Sequence, residues 1–112
     1  MLSTRSAGPI EIVALTGDID AASTPSLRSE LAALVDSGKL LLILNLSKVR
    51  IVDSSALRLF VVLVQHCRAE DGDVALACPT PTVRSILHLT QLNRVLEVFD
   101  SEELAIGRLS PN

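Results

Sequence analysis

The architecture of this chain is specified by residues 40–60, LLLILNLSKVRIVDSSALRLF. Between residues 40 and 46 only Asn45 is polar, a pattern typical of a strand that is covered on both faces of a sheet. An Asp-Ser-Ser triplet follows at residues 53–55, and these residue types are preferred at the N-caps of helices. Beyond the triplet the apolar residues recur at helical spacing. The stretch therefore predicts a buried strand that leads into an amphipathic helix whose first turn carries two hydroxyl groups.

The alternation of strands and helices continues on both sides of this stretch. We predict strands at residues 10–16, 40–46, 73–78 and 95–99, and helices at residues 25–36 and 54–68 and from residues 81 and 102 onward. Pro25 and Pro81 each follow a threonine, which is typical of helix starts because proline lacks the N–H that the first turn leaves unbonded. This order of elements predicts a layered α/β domain. Residues 1–8 are predicted to be a flexible N-terminal tail, which leaves residues 9–112 as the single domain.

The composition argues against several classes of protein. The 112 residues carry a net charge of -3, two Phe and no Trp or Tyr, so neither a basic surface nor aromatic stacking favours binding to nucleic acid. No apolar run approaches the roughly 20 residues needed to cross a bilayer, and the N-terminus lacks an apolar export signal. We therefore expect a cytoplasmic protein without membrane insertion. Cys67 and Cys78 are expected to be free, buried thiols.

The sequence contains no pattern typical of a catalytic or metal site. Its five glycines are scattered and form no phosphate-binding loop. His66 and His88 do not have the spacing of metal ligands, and His66 and Cys67, as neighbours on a helix, point about 100° apart. We therefore expect no cofactor and no bound metal, and a protein that acts by binding rather than by catalysis.

The triplet at residues 53–55 has two interpretations when it is taken alone. Asp and Ser stabilise helix starts, so the triplet can be there for capping only. Alternatively, a hydroxyl in the first turn is a suitable phosphate acceptor, because the N-terminus of a helix stabilises anions.

Residues 43–57, ILNLSKVRIVDSSAL, resemble the signature of the STAS family, in particular that of its free-standing anti-sigma factor antagonists. In those proteins a strand ending in Asn-Leu or Asp-Leu is followed by Asp-Ser-Ser-Gly-Leu. Residues 15–20, LTGDID, and residues 81–96 are also similar to the family, so the resemblance covers about residues 9–106. One departure is Ala56, where the family usually has Gly. The resemblance implies a single STAS domain with a central mixed sheet of four to five strands and about four helices.

The resemblance also implies a switch based on phosphorylation. The first serine after the Asp, which is Ser54 here, corresponds to the phosphoacceptor, with Ser55 as the weaker candidate. The implied partners are an anti-sigma factor with serine kinase activity, which binds the unphosphorylated protein, and a serine phosphatase that reverses the modification.

We expect the partner to contact the exposed side of this helix and the turn before the first helix. The predicted partner-binding residues are Asp20, Asp53, Ser55, Ala56, Leu59, Val62 and His66. Leu59 and Val62 fall opposite the predicted core face of the helix, and their alternative role is a second packing layer. The alternative role of Asp20 is that of a simple turn or capping residue.

Two further functional hypotheses stay open at this point. The protein can be an accessory subunit of a membrane complex that transports lipids or anions without phosphorylation, an alternative that the Ala56 departure favours. An enzyme that acts through Cys67 or the serines is a third hypothesis. Formation of a homodimer is also left open.

Overall fold

The computed structural model describes residues 2–111 as a single sheet with helices on both faces. The strands are β1 (Leu2–Ala7), β2 (Ile10–Ile19), β3 (Leu41–Val52), β4 (Asp73–Ala77) and β5 (Glu97–Phe99). The helices are α1 (Thr24–Asp36), α2 (Ser54–Ala69), α3 (Pro81–Leu89) and α4 (Glu102–Leu109), with a 3₁₀ turn at Leu92–Arg94 before β5. The predicted α/β class, with a mixed sheet of four to five strands and about four helices, is confirmed.

The strand β3 lies at the centre of the sheet, whose order is β1-β2-β3-β4-β5. β1 runs antiparallel to β2, and all other neighbouring strands are parallel. The successive residues Leu42, Ile43 and Leu44 of β3 are all fully buried, because helices cover both faces of this strand. The apolar run that begins residues 40–60 is therefore the central strand that the sequence predicts.

Residues 2–7 form the edge strand β1, and the prediction of a flexible tail at residues 1–8 is wrong for this segment. β1 pairs along its whole length with residues 10–15 of β2, and Gly8, at φ +62°, lies in the tight connection. The prediction failed because most side chains of this edge strand are exposed, so its sequence lacks the alternation of apolar and polar residues that indicates a half-buried strand. Met1 lies outside the described residues. The folded domain therefore includes the segment that was assigned to the tail.

Helices α1, α2 and α3 cover one face of the sheet, and α4 covers the other. Leu42 and Leu44 point to the larger core, where they join side chains of the first three helices such as Phe60. Ile43 points to the smaller core, where it joins Leu109 of α4. Alternate residues of one strand thus serve two different layers, as the geometry of a strand requires.

Strands β2 and β3 extend further than the sequence predicts. β2 continues to Ile19 instead of ending at residue 16, and β3 continues to Val52 instead of ending at residue 46. Past Asn45, β3 pairs only with β2, and the side-chain oxygen of Asn45 accepts a hydrogen bond of 2.9 Å from the N–H of Ser47 at the start of this extension. The extension brings the starts of α1 and α2 together at one end of the molecule.

Candidate functional site

Asp53 is the N-cap of α2 and the central residue of this end of the molecule. Its Oδ1 accepts hydrogen bonds from the N–H groups of Ser55 (2.9 Å) and Ala56 (3.2 Å), which the first turn of a helix leaves without partners. Its Oδ2 accepts a hydrogen bond of 3.0 Å from the N–H of Ala21, and its own N–H donates to the carbonyl of Ile19 at 3.1 Å. One carboxylate therefore joins the start of α2 to the loop between β2 and α1.

Asp20 organises that loop from within. Its Oδ1 accepts hydrogen bonds from the N–H groups of Ala22 (3.1 Å) and Ser23 (3.0 Å), and its carbonyl accepts from the N–H (2.9 Å) and the hydroxyl (2.5 Å) of Thr24. These contacts correspond to the alternative role considered for Asp20, that of a turn and capping residue. Because Ala21 donates to Asp53, Asp20 is also held in a fixed position beside the start of α2.

Ser54 is the first residue of α2, and its side chain is exposed. Within residues 2–111 its hydroxyl has no hydrogen-bond partner, so an approaching enzyme can reach it without breaking a contact of the fold. Ser55 is half-buried, and its N–H is bound to Asp53. Of the two serines that the sequence offers as phosphate acceptors, Ser54 is the more accessible.

Ala56 is fully buried, so it does not belong to the surface on which the sequence placed it. Two residues after Ser54, its side chain is turned about 200° around the helix and lies in the larger core. The expectation that Ala56 contacts a partner is therefore corrected. Its methyl group fills space beneath the site and leaves the surface around Ser54 unchanged.

Leu59 is also a core residue and is only 6% exposed. The sequence placed it on the exposed side of α2, but α1 packs alongside α2 in the same layer and covers it. The alternative of a second packing layer is thus correct for Leu59. Between the two helices lies a shallow apolar groove with a volume of about 170 Å³, lined by Leu31 and Val35 of α1 and by Leu59 and Val62 of α2.

Val62 and His66 lie on the exposed surface of α2, as the sequence predicts. Val62 is 53% exposed and forms part of the groove beside α1. His66 lies one turn further along and pairs with Glu70 at 3.0 Å. Of the α2 side chains predicted to face a partner, Val62 and His66 are thus exposed, whereas Ser55 is half-buried and Leu59 is buried.

An ion pair that the sequence did not predict stabilises the extension of β2 and β3. Arg50 donates two hydrogen bonds to the carboxylate of Asp18, of 3.0 Å to Oδ1 and 2.7 Å to Oδ2. The hydrogen bond from Arg50 lowers the pKa of Asp18. The sequence shows only an Asp and an Arg beyond the predicted ends of two strands. The two residues become neighbours because β2 and β3 both extend past these predicted ends.

Asn45, part of the family signature, lies away from this end and links three elements. Its Nδ2 donates to Oε2 of Glu102 at 2.5 Å, and Arg5 of β1 donates to Oε1 of the same carboxylate. The hydrogen bond from Asn45, helped by the one from Arg5, lowers the pKa of Glu102 although partial burial opposes this. Asn45 therefore fixes the first turn of α4 against the sheet, a structural role.

The two cysteines are free thiols. Cys67 is fully buried and burial raises its pKa to about 11, whereas Cys78 is half-buried. Residues 2–111 contain no group of three or more His, Cys, Asp or Glu side chains that could hold a metal ion. In the same part of the chain, no helix combines the length and the apolar character needed to cross a membrane.

Comparison with known proteins gives a consistent result. A family model described as the STAS domain matches residues 2–105. A protein of Bordetella bronchiseptica, BtrV, provisionally named an anti-sigma factor antagonist, is 29% identical over 94 residues, which are 84% of this chain and 81% of the relative.

Two solved structures have the same fold over nearly the whole chain. A protein of Thermotoga maritima, provisionally described as an anti-sigma factor antagonist, has a TM-score of 0.92 at 20% identity and covers 98% of this chain and 95% of its own. The anti-sigma factor antagonist SpoIIAA, from Bacillus, has in its unphosphorylated form a TM-score of 0.80 at 23% identity, covering 96% of this chain and 95% of its own. SpoIIAA has also been solved in a phosphorylated form, with a TM-score of 0.72.

Proposed function

Because this chain belongs to the STAS domain family, we propose that it is an anti-sigma factor antagonist in a bacterial partner-switching pathway. The names of its relatives from Bordetella bronchiseptica and Thermotoga maritima support this role. The observation that carries the proposal is the position of Ser54, whose exposed hydroxyl stands in the first turn of a helix that is otherwise firmly anchored. In this proposal the protein acts by binding and not as an enzyme.

The unphosphorylated protein binds an anti-sigma factor that is also a serine kinase. In the kinase reaction the Ser54 oxygen attacks the terminal phosphorus of a nucleoside triphosphate, the serine proton passes to a base of the kinase, and the nucleoside diphosphate leaves. A serine phosphatase hydrolyses the phosphate ester and restores the binding form. These assignments follow the family resemblance, and the accessible hydroxyl of Ser54 is compatible with them.

Phosphorylation changes the surface rather than the fold. A phosphate adds about -1.5 to -2 charges at pH 7, and the positive end of the helix dipole at the start of α2 favours an anion there. The contacts that hold this end together belong to Asp53 and Asp20, and none of them uses the Ser54 hydroxyl. A phosphate on Ser54 therefore weakens binding through repulsion and through the cost of desolvating it in an interface.

The docking surface that we propose is smaller than the one predicted from sequence. It comprises Ser54 and Ser55, the neighbouring loop with Asp20, and the exposed Val62 and His66 further along α2. Asp53 lies at the border of this surface, with its carboxylate engaged by backbone groups. Leu59 and Ala56 support the surface from below.

The burial of Ala56 bears directly on the departure from the family signature. A methyl group in place of a glycine hydrogen would hinder a partner only if it pointed outward. Ala56 points into the core with no exposed surface, and alanine favours the helix more than glycine does. The substitution therefore leaves the approach to Ser54 open, which removes the main argument for a protein without a phospho-switch.

The decisive experiment compares Ser54→Asp with Ser54→Ala in binding to the cognate anti-sigma factor. The partner is first identified by affinity purification of the wild-type protein, and intact mass analysis of the same sample detects a bound phosphate. We expect Ser54→Ala to bind like the wild type and Ser54→Asp to lose binding, measured by calorimetry. Ser85→Ala, at an exposed serine of α3 outside the docking surface, is the matched control and should retain binding.

Equal affinity of the two Ser54 variants for the anti-sigma factor would contradict the switch. Recovery of a membrane transport component in place of an anti-sigma factor, with no phosphate in the intact mass, would instead favour the accessory-subunit hypothesis.

A further inference from the structure

One arginine close to Ser54, Arg58, forms no ion pair with any residue in the described part of the chain. Six of the ten Lys and Arg residues form ion pairs with carboxylates, among them Arg50 with Asp18 and Arg68 with Asp73. Arg58 is exposed, and within residues 2–111 it has no carboxylate partner. A cation without a partner is free to bind a group that arrives later.

Arg58 lies four residues after Ser54 on the same helix, α2. Residues at this spacing are neighbours on one face of a helix, with their Cβ atoms about 5–6 Å apart. Side chains on a helix also point back toward its N-terminus, so the long arginine side chain extends over the turn that begins with Ser54. A guanidinium group can therefore reach an oxygen carried on Ser54 without any movement of the backbone.

The charges on the other side of Ser54 are negative. Asp53 precedes it directly, and Asp20 is held beside the start of α2 by the loop contacts. A phosphate on Ser54 is repelled by these carboxylates and attracted by the guanidinium. The favourable direction for the phosphate is thus along α2, toward Arg58.

We infer that Arg58 is the residue that binds and orients the phosphate on Ser54. Arginine suits this role because its planar group can donate two parallel hydrogen bonds to a phosphate. The ion pair holds the phosphate against the exposed face of α2, across the surface that leads to Val62 and His66. Release of a partner then follows from an ordered obstacle on the docking surface. The inference rests on the proposed function for the occurrence of this phosphate in the cell.

The test uses the full chain with phosphoserine incorporated at position 54 during translation, so that neither a kinase nor a partner is required. The phosphate is titrated by ³¹P NMR in the otherwise wild-type chain and in the Arg58→Gln variant. Arg58 stabilises the dianion more than the monoanion, so we expect its replacement to raise the proton affinity of the phosphate roughly twofold, the size typical of exposed pairs at this spacing. Arg58→Lys keeps the charge and should retain most of the effect.

Arg94→Gln is the matched control, since Arg94 is exposed and lies in the 3₁₀ turn before β5, at the opposite end of the parallel strands. It should leave the titration unchanged. Identical titrations of the Arg58→Gln and Arg94→Gln variants, both with wild-type circular dichroism, would overturn the inference. That result is distinct from failure of the proposed function, which would show as equal partner binding by the two Ser54 variants.

Discussion

Replacing Asp53 removes three hydrogen bonds at once, and two different substitutions separate them. Asp53→Ala loses the two bonds to the first turn of α2 and the bond to Ala21 in the loop. Loss of an N-cap costs about 1 kcal/mol, and loss of the loop bond, whose donor is exposed, costs about 1 kcal/mol more. Asp53→Ser keeps a capping oxygen but is too short to bind Ala21 as well. We expect losses of about 2 kcal/mol for Asp53→Ala and about 1 kcal/mol for Asp53→Ser.

The assay is equilibrium unfolding in urea, followed by circular dichroism, together with hydrogen exchange of the Ala21 amide. Exchange at Ala21 should accelerate in both variants, because both lose the contact between the loop and α2. Asp36→Ala, at the exposed C-terminal end of α1, is the control and should stay within about 0.5 kcal/mol of the wild type. If Asp53→Ala also stays within that range, or if Ala21 exchanges at the wild-type rate in Asp53→Ser, Asp53 does not join the two elements as described.

Two further predictions concern packing and pH. Leu59→Ala should lose about 3 kcal/mol of unfolding free energy because Leu59 is buried. Val62→Ala should change the unfolding free energy by less than about 0.5 kcal/mol but weaken partner binding, because Val62 is exposed. Similar stabilities of the two variants would contradict the assignment of Leu59 to the core and Val62 to the surface. The hydrogen bond from Asn45 lowers the pKa of Glu102 below its ordinary value of 4.5. Ionised Glu102 therefore stabilises the fold above pH 4.5, and this contribution is lost as the pH falls through the lowered pKa. Glu102→Gln should therefore be less stable than the wild type at pH 7, and urea titrations should show that this difference in unfolding free energy narrows below pH 4.5. Glu103→Gln, which changes the neighbouring exposed residue, is the control. A stability difference that is constant with pH would refute the role of ionised Glu102.

Features that depend on neighbours along the chain could be predicted from the sequence. The apolar run of β3, the start of α2 and the cap of α3 by Thr80 are local patterns, and the structure has them where they were expected. The burial of Leu57, Phe60 and Cys67 on α2 is a local feature of the same kind, because the helical spacing of these apolar residues places them on one face.

Features that depend on the packing of distant segments could not be predicted. Leu59 lies on the flank of α2 that faces α1, and only the position of α1 shows that it is buried. β1 is stabilised by backbone pairing with β2, which leaves no trace in a polar sequence at the edge of a sheet. The pairing of Arg50 with Asp18 depends on a register between β2 and β3 beyond the predicted ends of both strands.

The resulting site combines a fixed frame with one free group. Asp53 and Asp20 bind the backbone N–H groups around the start of α2, and Ala56 secures that turn to the core from below. Ser54 takes part in none of these contacts through its hydroxyl, so a phosphate can be added or removed while the frame keeps its shape. A switch of this kind needs a modification that changes the free energy of partner binding but not the free energy of unfolding. The separation of Ser54 from the contacts that stabilise its own helix meets that requirement, and the free cation of Arg58 one turn further on gives the added charge a defined direction.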